Sequence, residues 1–150
     1  MRVNQMFNQE NYIKVLNFAA SAHAEQKTPK GLPYLAHITC VAMEVINACE
    51  KSQLDEKKAD FAISCALLHD VIEDTPKEYE DIENDFWKEV AYLCGWMEKL
   101  SKVKYKWEER TVWSLRKMFV AMSEDLRVIF IKLSDRLHNM RTLKFHPKKE

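Results

Sequence analysis

Glycine and proline are scarce, with two and four residues in a chain of 150. A turn-rich β sandwich or barrel needs more breakers, so the scarcity argues against that class and for an all-α fold. Charge of one sign is not in excess either: Lys plus Arg and Asp plus Glu both total 23. No basic field exists to gather nucleic acid or an anionic membrane surface, and an anionic ligand has to be held by a local cluster. No apolar run approaches the roughly 20 residues that span a bilayer, and the stretch from Met1 to Tyr12 has no signal-peptide core. A soluble cytoplasmic protein without membrane or nucleic-acid partners is the expectation. The four cysteines, Cys40, Cys49, Cys65 and Cys94, form no CxxC pair, which points to reduced core thiols rather than a disulfide framework or a zinc knuckle. Nothing in the composition specifies an oligomeric state.

What is present is helical periodicity. Asn8 is a candidate cap for a helix over about residues 9–25, with Tyr12, Val15, Leu16, Ala19 and Ala22 along one face. The segment from Lys27 to Pro33 carries both breaker types and reads as a loop, with a second helix beginning near His37 and burying Ile38, Val41, Ala42, Val45 and Ile46. Asp55 is a candidate cap for a third helix, whose stripe Ala59, Ala62, Ile63, Ala66 and Leu67 leads to the pair His69-Asp70. After Pro76 the acidic run Glu78 to Asp85 reads as a short solvated helix or loop, followed by a helix through Phe86, Val90, Leu93 and Met97. Val112, Leu115, Phe119 and Met122 outline another. Ser123 caps a last helix in which Leu126, Ile129, Phe130, Leu133, Leu137 and Met140 form the predicted core stripe. With no repeat and no composition shift, residues 1–150 read as one helical bundle.

An imidazole and a carboxylate side by side at the end of an apolar helix are costly to bury without a partner, and a divalent cation satisfies both at once. His37 at a helix start and Asp135 in the last helix are the further donors that core-facing turns offer. His37, His69, Asp70 and Asp135 then leave coordination positions for water and a phosphoryl oxygen. The alternative is that each histidine is a hydrogen-bonded core residue. Positive charge for an anionic substrate is available from Arg136, Arg141 and Lys144, and from Lys99, Lys102 and Lys104 before them, although charge runs of this kind also serve as ordinary solvated faces.

The strings from His69 to Thr75 (HDVIEDT) and from Lys132 to Leu143 (KLSDRLHNMRTL) resemble the two signature motifs of the hydrolase domains of RelA/SpoT alarmone enzymes. Also similar are His23 and Gln26, Gly31 with Pro33-Tyr34 and His37, Val41-Ala42, and the run from Arg116 through Asp125. The resemblance spans nearly the whole chain. It implies a single-domain helical bundle of the HD-domain type, with a divalent metal, usually manganese, on His37, His69, Asp70 and Asp135. It also implies a hydrolytic pair at Glu73 and Asp74, which synthase-only relatives lack, and nucleotide contacts at Asn139 and Thr142. The implied reaction is metal-dependent removal of the 3′-pyrophosphate of (p)ppGpp, a small-molecule nucleotide, to give GDP or GTP and pyrophosphate.

Two departures from the family pattern stand out. The position where relatives carry an arginine that stacks on guanine is Thr28 here, and the nearby Lys27 and Lys30 offer charge without a planar guanidinium. Weaker base selectivity is expected, which keeps open another ribose-phosphorylated nucleotide such as NADPH. A catalytically silent nucleotide-binding module is the reading from a different class, and the intact Glu73-Asp74 pair argues against it. The chain also stops at Glu150, where related domains usually continue with another helix; a trimmed chain or a more open site is the expectation. Of the aromatic residues, Trp87, Trp96 and Trp113 are expected in core packing, and Trp107, in a polar segment, at a contact or closing loop.

Overall fold

The computed structural model describes residues 6–101 and 126–142. The expected helix through Val112 and Met122, the Ser123 cap, Trp107, Trp113, Lys102, Lys104 and Lys144 lie outside them. Among the described residues seven helices follow one another: α1 Gln9–Ala22, α2 Leu35–Lys51, α3 Glu56–Leu68, α4 Val71–Asp74, α5 Tyr79–Asp85, α6 Lys88–Ser101 and α7 Leu126–Thr142. Among the described residues the only extended pairing is an isolated bridge between Lys27 and Pro33. The all-α expectation is met.

The local signals act where they were read. Asn8 caps α1 by accepting from the Asn11 N–H, and Asp55 caps α3 by accepting from Lys58. Helix α1 ends three residues earlier than its pattern suggested, because His23 leaves helical geometry and its N–H closes on the Ala19 carbonyl. Helix α2 starts two residues before His37. Pro33 sits just ahead of the Tyr34 cap, where a missing N–H and a fixed φ cost the helix nothing. In the loop between them Gly31 has φ +79° and its N–H bonds the Thr28 carbonyl at 2.8 Å, a turn that only glycine adopts without strain.

Helix α3 is the axis of the molecule. It packs against α1, α2, α6 and α7, and every residue from Ala59 to Leu68 is buried, not only the predicted stripe. A helix apolar all round belongs inside a bundle, and Ala59, Ala62, Ser64, Cys65 and Ala66 let neighbours approach from each side. Its two polar interruptions serve α1: the Asp60 carboxylate accepts from the Asn8 N–H at 2.6 Å, and Ser64 Oγ accepts from Asn11 at 3.2 Å. The acidic run forms α5, anchored by buried Ile82 against α6. Cys49, Cys65 and Cys94 are buried free thiols and Cys40 is half-buried. Trp87, expected in the core, is exposed.

Helix α7 corrects the sequence reading. The predicted stripe points outward: Phe130, Leu133, Leu137 and Met140 are exposed, while Val128, Ile131 and Asp135 are buried. Both sets repeat at helical spacing. The helix turns inward the face that continues from Val128 and Ile131 through Asp135 to His138, because that face meets polar partners on α2. No helix among the described residues is long and apolar enough to cross a membrane.

Candidate metal centre

Three segments converge at one end of α3. Helix α2 delivers His37 within its first turn, the α3–α4 junction delivers His69 and Asp70, and the middle of α7 delivers Asp135. All four are buried, and one nitrogen or oxygen from each lies within 4.8 Å of every other. This His/Asp cluster could hold a metal ion.

The hydrogen bonds around the cluster show which atoms are available. His69 Nδ1 lies 2.7 Å from the Ala66 carbonyl. A carbonyl only accepts, so Nδ1 carries the hydrogen and Nε2 presents a lone pair. That Nε2 is buried without a hydrogen-bond partner, 2.9 Å from Asp70 Oδ2. Two lone pairs facing each other at that distance repel unless a proton or a cation lies between them. His37 repeats the pattern: Nε2 is buried and lacks a hydrogen bond, 3.5 Å from Asp70 Oδ2 and 3.4 Å from Asp135 Oδ1. Its Nδ1 is 2.7 Å from Nδ1 of His138, so with Nε2 turned to a cation, His37 donates and His138 accepts. Two orphaned imidazole nitrogens aimed at two buried carboxylates are the donor set a divalent ion requires. The residues fit such an ion.

The carboxylates are held in turn. Tyr34 donates its hydroxyl to Asp70 Oδ2 at 2.7 Å, and Asn139 donates to Asp135 Oδ1 at 2.7 Å. Burial works to raise the Asp70 pKa, but His69, His37 and Tyr34 together hold it well below the usual carboxylate range. Asp135 is lowered in the same way: burial opposes the shift, and the facing His37 imidazole leads the groups that produce it. Burial pulls His37 down, yet the facing Asp135 and Asp70 carboxylates outweigh this and lift it to about 9. Burial and the Asp70 charge push the Tyr34 hydroxyl far up, so it stays a donor.

The metal-free protein therefore has a defined pH window. His37 is raised above its ordinary 6.5, so its contribution to stability is complete below that pH and is lost as pH rises towards 9. The two aspartates are lowered from 3.8, so theirs is present above that pH and is lost on acidification. Urea midpoints measured in chelator should be highest between these limits and should decline from pH 6.5 to 9. A flat profile over that upper range contradicts the cluster's electrostatics.

Of the other expected site residues, Glu73 and Asp74 lie in α4 one turn beyond Asp70, both exposed, with Asp74 Oδ2 accepting from Gln26 at 3.1 Å. Asn139, expected at the nucleotide, is engaged with Asp135. Thr142 bonds back to the His138 carbonyl, and Arg141 is paired with Glu44 across α2. Arg136 is exposed next to Asp135. Lys27, Thr28 and Lys30 share the loop closed by Thr28 N–H on the Leu32 carbonyl. Tyr34, His138, His23 and Gln26 stand beside these residues with no role predicted from the sequence. Their signal was only membership in the quoted motifs.

A family profile described as HD domain matches residues 15–150. The chain is 43% identical over 145 residues to the bifunctional (p)ppGpp synthase/hydrolase SpoT of Escherichia coli (strain K12), covering 93% of this chain and 19% of that one. It is 40% identical over 134 residues to the guanosine-3′,5′-bis(diphosphate) 3′-pyrophosphohydrolase of Aquifex aeolicus, covering 89% and 18%. A relative named GTP pyrophosphokinase, from Myxococcus xanthus, is 40% identical, covering 87% and 17%. The chain thus spans about a fifth of the length of these curated relatives. A solved structure described as a metazoan ortholog of SpoT that hydrolyzes ppGpp superposes with a TM-score of 0.66 at 28% identity, covering 89% of this chain and 70% of that one.

Proposed function

Since the chain belongs to the HD domain family, we propose that residues 1–150 act as one metal-dependent phosphohydrolase domain that removes the 3′-pyrophosphate of (p)ppGpp. The products are GDP or GTP and pyrophosphate. The observation that carries this reading is the pair of orphaned imidazole nitrogens, His37 Nε2 and His69 Nε2, set against Asp70 and Asp135 one helical turn from two exposed carboxylates. Relatives named for this reaction support the substrate, as does the ppGpp hydrolysis ascribed to the metazoan ortholog of SpoT.

His37, His69, Asp70 and Asp135 would hold a divalent ion, manganese in this reading, which would supply polarisation of a phosphoryl oxygen and a more acidic water. Glu73 would take the proton of the attacking water as its oxygen bonds phosphorus, and that proton would go to the ribose 3′ oxygen as its bond to phosphorus breaks, with Asp74 positioning the attack. Arg136, Lys27 and Lys30 offer charge to the phosphates. Arg141 does so only by leaving Glu44. Asn139 holds Asp135 and keeps its amide oxygen for the ribose, with Thr142 one turn further along α7.

Thr28 makes the reading specific. Without a stacking guanidinium, the preference for guanine should shrink by the worth of a base stack, about 1 to 3 kcal/mol. Chromatography of products from ppGpp and its adenine counterpart in manganese should show pyrophosphate released from both, and Thr28→Arg should widen the gap in favour of guanine. No release from either nucleotide removes the alarmone reading, and sharp guanine selectivity in the unaltered protein shows that another group replaces the arginine.

A further inference from the structure

One buried histidine takes no part in the cluster. His23 ends α1 with 3% exposure, and its Nδ1 lies 2.6 Å from Gln26 Oε1. Gln26 Nε2 continues to Asp74 Oδ2 at 3.1 Å. The direction of this chain of bonds is fixed by its far end. A carboxylate only accepts, so the amide nitrogen faces Asp74 and the amide oxygen faces His23; that oxygen also only accepts, so Nδ1 carries the hydrogen. Burial pushes the His23 imidazole pKa down, and its Nε2 is buried without a hydrogen-bond partner.

The backbone around Gln26 is equally constrained. Its N–H reaches the His23 carbonyl at 3.0 Å, and its carbonyl accepts from the Tyr34 N–H at 2.9 Å. The Tyr34 ring lies 4.9 Å from that of His23, and its hydroxyl reaches Asp70. One loop therefore grips α4 at both ends, at Asp70 before its first turn and at Asp74 in its last. Gln26 still has free side-chain torsions, and a glutamine bonded to an exposed carboxylate alone would exchange it for water. The bond from buried His23 removes that freedom.

We propose that His23 is a positioning residue: through the Gln26 amide it fixes the Asp74 carboxylate by Oδ2, leaving Oδ1 directed to the reaction. The catalytic use of Asp74 rests on the phosphohydrolase reading above; the positioning does not.

Two measurements separate them. Nitrogen-15 NMR of the metal-free protein at neutral pH should show His23 as the Nδ1–H tautomer with a bare Nε2, and Gln26 amide protons that exchange slowly and lose that protection in His23→Leu. An Nε2–H tautomer, or Gln26 signals unchanged in His23→Leu, overturns the proposal whether or not any nucleotide is cleaved. In the manganese-loaded protein, His23→Leu and Gln26→Leu should each lower kcat about tenfold to a hundredfold with little change in KM, since misplacing a reacting group costs rate rather than binding. The double variant should be no worse than either single one, and His23→Asn, which keeps an N–H near Nδ1, should recover most of the loss. Full kcat in His23→Leu overturns the proposal, because leucine preserves the packing that a merely structural role needs. Absence of pyrophosphate release in the unaltered protein counts against the phosphohydrolase reading alone.

Discussion

Replacing His69 or Asp135 with alanine should strip the protein of its divalent ion and of essentially all turnover. His69 has no slack: it is 1% exposed, its Nδ1 is committed to the Ala66 carbonyl, and its Nε2 is the one atom that answers Asp70 from the α3 side. Asp135 is the donor that α7 contributes to the set. Losing either leaves three donors and an uncompensated buried group, so manganese affinity should fall by well over the roughly tenfold to hundredfold seen when only a supporting partner is removed. Metal analysis of protein reloaded with manganese and dialysed is the direct check. Unchanged stoichiometry in both variants would remove the assignment. Because a buried charge without its partner costs about 3 to 5 kcal/mol, circular dichroism must accompany the measurement, and the helical signal should persist at low temperature.

Glu73→Gln should do the opposite: it should keep metal, fold and melting temperature while lowering turnover by about a hundredfold or more, the scale of lost general-base work. Glu73 and Asp74 are both exposed, so neither supports the core, and glutamine preserves size and polarity. The two carboxylates are not equivalent, since Asp74 has one oxygen engaged with Gln26. Steady-state kinetics in manganese decide the matter. Near-normal turnover in a protein of unchanged stability would pass the proton-accepting role to Asp74.

The legible parts of the sequence were those governed by neighbouring residues. Asn8 and Asp55 announced helix starts because a cap acts within three residues, and the costly pair at the end of α3 pointed to His69 and Asp70 because polar groups at an apolar helix end need a partner. The quartet His37, His69, Asp70 and Asp135 does come together. The face of α7 was not legible. Phe130, Leu133, Leu137 and Met140 are the stronger apolar series, but the orientation is decided by what waits on α2: His37 for His138 and Asp135, and Glu44 for Arg141. The Gln26 to Asp74 bond, across 48 residues, likewise leaves no periodic trace. Asp60 and Ser64 lie off the predicted α3 stripe, and the structure uses them to tie down α1.

The burial of α3 on every side also sets a timescale. Amide hydrogens from Ala59 to Leu68 reach solvent only when neighbouring helices separate, so their exchange should follow global unfolding rather than local fraying. His69 and Asp70 are fastened to the end of that helix and share its lifetime. One turn later, at Glu73 and Asp74, the chain meets water. Half of the centre therefore stays in register for as long as the molecule is folded, and at its outer edge Asp74 is held through Gln26 rather than by burial.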